Sequence, residues 1–163
     1  MKTTIITTLI IISAIGGLIW WGSSKQKPPL QSTGEKSILT TSLSVYDFGS
    51  ISMKDGDVVK EFIVTNPTDK DILLPTLVTS CMCTKAYFVL LDGKNKGPFG
   101  MPGMGYVPPL DETIKVGESR TIKVVYDPNA HGPAGVGFID RFITLTDSTG
   151  NDLKLEIKAT VTP

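Results

Sequence analysis

The residues of this chain that could do chemistry stand close together in sequence. Cys81 and Cys83 flank Met82, and Met101 and Met104 lie in the segment Gly97-Pro98-Phe99-Gly100-Met101-Pro102-Gly103-Met104-Gly105. The single histidine, His131, sits in a second punctuated segment, Asp127 to Gly135. Thiolate and thioether are the ligand types that Cu(I) prefers, so Cys81, Cys83, Met101, Met104 and His131 form a candidate soft-metal set. Cys-x-Cys in an extended segment puts both sulfurs on one side, because side chains repeat every two residues. A blue-copper centre needs two histidines, and a structural zinc site needs four ligands, so neither is offered.

Two other readings of the same residues compete with the metal site. Two nearby thiols in an oxidising compartment invite a disulfide, and with it a thiol–disulfide redox role. A fully extended backbone would hold their Cα atoms about 6.6–7.2 Å apart, at or beyond the bridging range, and a turn would bring them closer. The structural reading makes the Gly/Pro segment a cap over one end of the fold, with Met101 and Met104 as plugs, buried cysteines, and His131 as a turn residue. Asp55, Asp57, Asp69 and Asp71 belong in turns, which Asp favours through its own backbone hydrogen bonds.

Other function classes are disfavoured by what the chain lacks. Lys+Arg and Asp+Glu both number 16, so there is no basic excess to hold a phosphate backbone, and nucleic acid is not expected as a partner. There is no nucleophile elbow, phosphate-binding Gly loop before a helix, or His-Glu-x-x-His pair, and a non-enzyme is expected.

The elements that must position these residues are strands. Val58 to Thr65 is β-branched and aromatic and ends in Asn66-Pro67-Thr68-Asp69; Ile72 to Val78, Thr121 to Tyr126 and Phe138 to Thr146 follow the same pattern. In the last strand Leu153, Leu155, Ile157, Ala159 and Val161 alternate without a break with polar residues, which predicts one buried face and one wet face. About seven short strands with regular turns argue for an all-β, immunoglobulin-like antiparallel sandwich over 42–163. Asp92 to Asp111, with five Gly and four Pro, is expected to be a long irregular loop.

Ahead of the strands, Thr3 to Ser24 carries no charge and is rich in Ile and Leu, closing on Trp20 and Trp21. As a helix it would be about 33 Å long, enough to cross a hydrocarbon core of about 30 Å. It is longer than a usual signal-peptide core and lacks a small-x-small cleavage site, so 1–24 is expected to be an uncleaved signal-anchor helix. Residues 25–41, rich in Ser, Lys, Gln, Pro and Gly at their start, read as a flexible linker.

Val45-Tyr46-Asp47-Phe48-Gly49-Ser50-Ile51, Glu61-Phe62-Ile63-Val64-Thr65-Asn66, Ser80-Cys81-Met82-Cys83-Thr84 and Val116-Gly117-Glu118 are ordered landmarks. In combination they resemble the bacterial family called domain of unknown function 1573, over roughly Leu43 to Val161. The resemblance implies an Ig-like fold outside the cytoplasm and supplies no established activity. Met82 stands where that family usually has Gly, and the insertion after the cysteines is a second departure.

The sequence therefore describes a single-pass cell-membrane protein with an extracytoplasmic Ig-like binding or structural domain that contacts an envelope partner. A Cu(I) domain or a Cys81/Cys83 redox domain is the alternative. A reporter enzyme fused after Pro163 is expected to be active only outside the cytoplasm; cytoplasmic activity would overturn this topology.

Overall fold

The computed structural model describes residues 36–163. The anchor helix 1–24 and most of the linker expected from the sequence lie outside that range. Among the described residues no helix is long and apolar enough to cross a membrane.

Eleven strands run through the described residues: β1 (Thr40–Thr41), β2 (Val45–Ser52), β3 (Val58–Thr65), β4 (Ile72–Leu74), β5 (Thr76–Thr79), β6 (Thr84–Val89), β7 (Asn95–Phe99), β8 (Glu112–Ile114), β9 (Ser119–Tyr126), β10 (Gly137–Thr146) and β11 (Asp152–Thr162). They form a five-stranded sheet in the order β1-β3-β9-β6-β7, a four-stranded sheet in the order β2-β11-β10-β5, and a small β4-β8 pair. The inner faces of the two larger sheets enclose one core. Phe62, Phe88, Ile122 and Val124 come from the first, and Leu77, Ile143, Leu145, Leu155 and Ile157 from the second. Burying each of these side chains contributes about 1.5–3 kcal/mol against the entropy of ordering the chain. The protein is an all-β sandwich.

The period-two alternation of β11 appears as expected: Leu153, Leu155, Ile157, Ala159 and Val161 are all buried. Four departures from the sequence reading have local causes. The run Ile72 to Val78 is two strands, because Pro75 has no N–H to give a ladder. Its carbonyl instead accepts from Leu110 N at 2.8 Å, while β4 pairs with β8 and β5 crosses to β10. Asp92 to Asp111 is not irregular throughout, since Asp92-Gly93 turns β6 back into β7; Gly93 has φ 81°, and Leu90 N donates to Lys94 O at 2.8 Å. The sandwich is not wholly antiparallel, because β2 pairs with β11 in parallel, which its distance in sequence permits. Finally, residues 36–41 of the expected linker join the domain: Lys36 bridges to Asp152, Leu39 is buried and β1 pairs with β3.

Asp147 fixes the turn between β10 and β11. Its buried carboxylate accepts from Thr149 N at 2.9 Å, Asn151 N at 3.1 Å and Ser37 Oγ at 3.1 Å, and from the Thr149 hydroxyl. Burial alone would raise its pKa; these hydrogen bonds together hold it below the ordinary carboxylate value. A carboxylate depressed in the folded state stabilises the fold above its unfolded pKa of about 3.9 and loses that contribution as pH falls through the folded value. Asp147→Asn is expected to cost about 1–3 kcal/mol in urea unfolding at pH 7. The gap between variant and wild type should narrow below about pH 4.

Candidate functional site

The two cysteines lie where the chain changes sheets. β5 belongs to the four-stranded sheet and β6 to the five-stranded one, and only residues 80–83 connect them. The connection is tied to both sides. Ser80 N donates to Phe142 O at 2.9 Å and Ser80 Oγ accepts from Phe142 N at 2.9 Å, on β10. On the other side Asp127 N donates to Cys83 O at 2.9 Å. Thr84 N donates to Cys81 O at 3.1 Å, closing a turn, and the buried Thr79 hydroxyl donates to Cys81 O at 3.1 Å and Thr84 O at 3.0 Å.

That turn sets the Cα atoms of Cys81 and Cys83 only 5.3 Å apart, inside the bridging range that an extended strand would miss, and their sulfurs form a disulfide. Its two sulfurs have different surroundings. Cys81, 9% exposed, is at the rim, with His131 Nε2 3.2 Å from its Sγ. Cys83, 2% exposed, lies beneath it and accepts from Arg141 Nε at 3.4 Å. A disulfide sulfur carries no proton, so the imidazole is the donor in the first contact as Arg141 is in the second.

His131 reaches the turn from the segment after β9. Asp127 Oδ1 accepts from Asn129 N at 2.7 Å, and Asn129 Nδ2 donates to Met53 O at 2.7 Å. The next residues, Gly132–Gly135, make one 3-10 turn that folds back on the histidine. A Cβ at Gly135 would stand 3.3 Å from His131 Cβ, so a side chain there would press on the imidazole's base.

Arg141 was not among the residues the sequence singled out, yet a signal was present. On the buried face of β10 the order is Ile139, Arg141, Ile143, Leu145, one cation in an apolar series. Its Nη1 donates to Asp140 O at 2.9 Å. Its charge is also felt by Tyr126, whose phenol burial pushes upward while Arg141 draws it down and Asp127 raises it further.

Cys81, Cys83 and His131 thus come together, with their ligating atoms all within 4.8 Å of one another. Met101 and Met104 lie in the irregular segment that follows β7. They line a shallow cleft of about 190 Å³ with Met82, Pro98, Phe99 and Tyr106, whose walls include neither cysteine. The three methionines are all at least 36% exposed, so they do not serve as the buried plugs of the structural reading either. A larger cavity of about 480 Å³ lies between residues 36–41 and β11 and contains no thiol or imidazole.

No family model matches the chain, and no curated protein matches it. Among solved structures, a protein of unknown function from Porphyromonas gingivalis W83 matches with TM-score 0.54 and 15% identity, over 82% of this chain and 50% of that one. The chain therefore spans half the length of that protein, and the likeness extends to the fold alone. Weaker matches include PapD-like domain 7 of human CEP192 (TM-score 0.46, 10% identity, 85% of this chain and 92% of that one). Another is the CooA pilin subunit from enterotoxigenic Escherichia coli (TM-score 0.43, 14% identity, 77% and 97%).

The unequal burial of the two cysteines has a direct consequence. Without reductant neither cysteine should take up a thiol reagent. After reduction Cys81 should be alkylated first, about tenfold or more ahead of Cys83, read by peptide mass spectrometry, because reaction needs an accessible thiolate. Equal rates would contradict the rim-and-floor arrangement.

Proposed function

We propose that this chain is a membrane-anchored, extracytoplasmic Ig-like domain that exchanges disulfides with an envelope protein through Cys81 and Cys83. One observation carries the reading: the two sulfurs of a short bridge each have their own cationic or cation-forming partner, His131 for Cys81 and Arg141 for Cys83. A staple needs no such partners. Nor does this bridge do much as a staple, since a loop of about three residues gives roughly 1.5 kcal/mol on the chain-entropy relation, against about 4.7 for 100 residues. The uncharged run from Thr3 to Ser24 supports placement at a membrane, and a disulfide persists in the oxidising compartment outside it.

The chemistry follows the asymmetry. A partner thiolate attacks the rim sulfur, Cys81 Sγ. The bond to Cys83 breaks, and its electron pair leaves as the Cys83 thiolate beside Arg141, which stabilises the leaving group. The partner's second thiolate then attacks its own sulfur in the mixed disulfide. The partner's thiols release their protons on ionising, one to the imidazole and one to solvent. Cys81 leaves as a thiolate and takes the first from the resulting imidazolium, and Cys83 takes the second from solvent. Two electrons and two protons pass from the partner dithiol to Cys81 and Cys83. In reverse, His131 accepts the Cys81 proton and the rim thiolate attacks a partner disulfide. The role needs no hydrolytic or group-transfer machinery, and one histidine in the whole chain would not supply a triad.

Trapping tests this. Cys83→Ser, which keeps the attacking thiol and removes the resolving one, is expected to accumulate a mixed disulfide with a small aromatic disulfide probe, whereas Cys81→Ser is not. Arg141→Gln should make the midpoint potential of the full chain more negative by about 30 mV, equivalent to about 1.4 kcal/mol lost from the reduced state. A bridge whose reduction rate and potential ignore both His131→Ala and Arg141→Gln would be a passive staple.

A further inference from the structure

Opening the bridge leaves two thiols and an imidazole on one spot, and we propose that in this state Cys81, Cys83 and His131 bind a single Cu(I) ion. The inference rests on the preceding reading only in requiring that the bridge be reducible. A dithiol reductant converts the bridge to two thiols, becoming a disulfide itself. Cu(I) then displaces two thiol protons to give a bis-thiolate complex with the imidazole as third ligand.

Geometry, ligand type and charge each support the assignment. Metal bonds to thiolate and imidazole of about 2.0–2.3 Å allow two donors on one ion to stand up to about 4.6 Å apart. Here all three donor atoms already fall within 4.8 Å of one another, so modest side-chain rotation closes the set. Thiolate is the softest donor that protein side chains offer, which favours Cu(I). Two thiolates and Cu(I) carry one net negative charge, and the Arg141 guanidinium, Nε 3.4 Å from Cys83 Sγ, is positioned to neutralise it. Zn(II) with the same ligands would be neutral, leaving Arg141 without a counter-charge, and a closed zinc site would want a fourth ligand. Among His, Cys, Asp and Glu of the described residues the group contains three.

The assignment differs from the ligand set read from sequence, because Met101 and Met104 share a cleft with Met82 that neither cysteine lines. Metal loading is therefore governed by the oxidation state of the bridge, and a bound ion blocks the sulfurs from exchange.

The test is an anaerobic Cu(I) competition titration of the full chain in mild detergent against a chromogenic Cu(I) chelator. The reduced chain should withdraw one equivalent, and the oxidised chain, identical in sequence and fold, should withdraw none. His131→Ala should weaken binding by more than about tenfold and Arg141→Gln by about tenfold, whereas Met101→Leu with Met104→Leu should stay within about twofold. The inference is overturned if the reduced chain competes no better than the oxidised one, or if the methionine pair rather than His131 controls affinity. Tighter retention of Zn(II) than of Cu(I) would overturn the choice of ion. Thiol trapping by Cys83→Ser without copper uptake removes the metal inference alone; copper uptake without trapping removes the exchange reading alone.

Discussion

The chain has to leave one sheet at Thr79 and enter the other at Thr84, with four residues in which to do it. That constraint shapes the site. A connection so short cannot remain extended, and the carbonyls it turns inward need donors in a buried place. The Thr79 hydroxyl shares its one proton between Cys81 O, which also accepts from Thr84 N, and Thr84 O at the start of β6, at 3.1 and 3.0 Å. A buried polar group left without a partner costs about 1–3 kcal/mol, so the threonine is worth more to the turn than a valine of the same shape. With the turn fixed, the side chains at 81 and 83 point into the gap between the sheets while Met82 points out, and the two thiols meet.

Arg141 is held by the same logic from the opposite side. β10 pairs with β5 from Ile143 to Thr146, opposite Thr79 to Thr76, and its ladder continues on β11 through Arg141 opposite Ile157. The inward position two residues before Ile143 therefore falls beside the end of β5, where the cysteine turn begins. A guanidinium placed among apolar side chains requires an electron-rich neighbour, and here it has Cys83 Sγ and the Asp140 carbonyl. Its partial burial makes its interaction with a thiolate stronger than the same pair fully at the surface would be, because water screens it less.

Much of the fold was legible where one physical pattern dominated. β11 is legible because one face is core and the other water, so alternation is unbroken; β3, β9 and β10 are legible for nearly the same reason. The reading failed where a single residue overrode the pattern. Pro75 divides a run that hydrophobicity alone would leave whole, and Asp92-Gly93 folds a hairpin inside a segment whose glycines and prolines suggested irregularity. The parallel pairing of β2 with β11 was not legible, because local pattern sets a strand's faces and not its neighbour. Likewise, Ile38 and Leu39 stand side by side in a polar stretch, and nothing nearby in sequence tells that Leu39 joins the core while Ile38 is exposed.

The site was legible by composition and not by distance. Cys81, Cys83 and His131 have few roles open to them, so their types alone nominated them, and 50 residues of sequence separation between Cys81 and His131 carry no spatial information. Met101 and Met104 were nominated on type too, and beyond the β6–β7 hairpin they line a cleft with Met82. Arg141 was overlooked because an arginine in a strand is ordinarily a surface residue, and only its phase among Ile139, Ile143 and Leu145 marks it as inward. The difference matters chemically. With the methionines as further ligands, the site would let two neutral thioethers share a soft ion with the two thiolates. With His131 and Arg141 it is built around thiolates, whose formation the imidazole assists and whose charge the guanidinium balances. The groups that favour sulfur as a leaving anion are therefore the groups that favour it as a ligand, and which of the two a given thiolate becomes depends on whether a disulfide or a soft cation reaches the rim first.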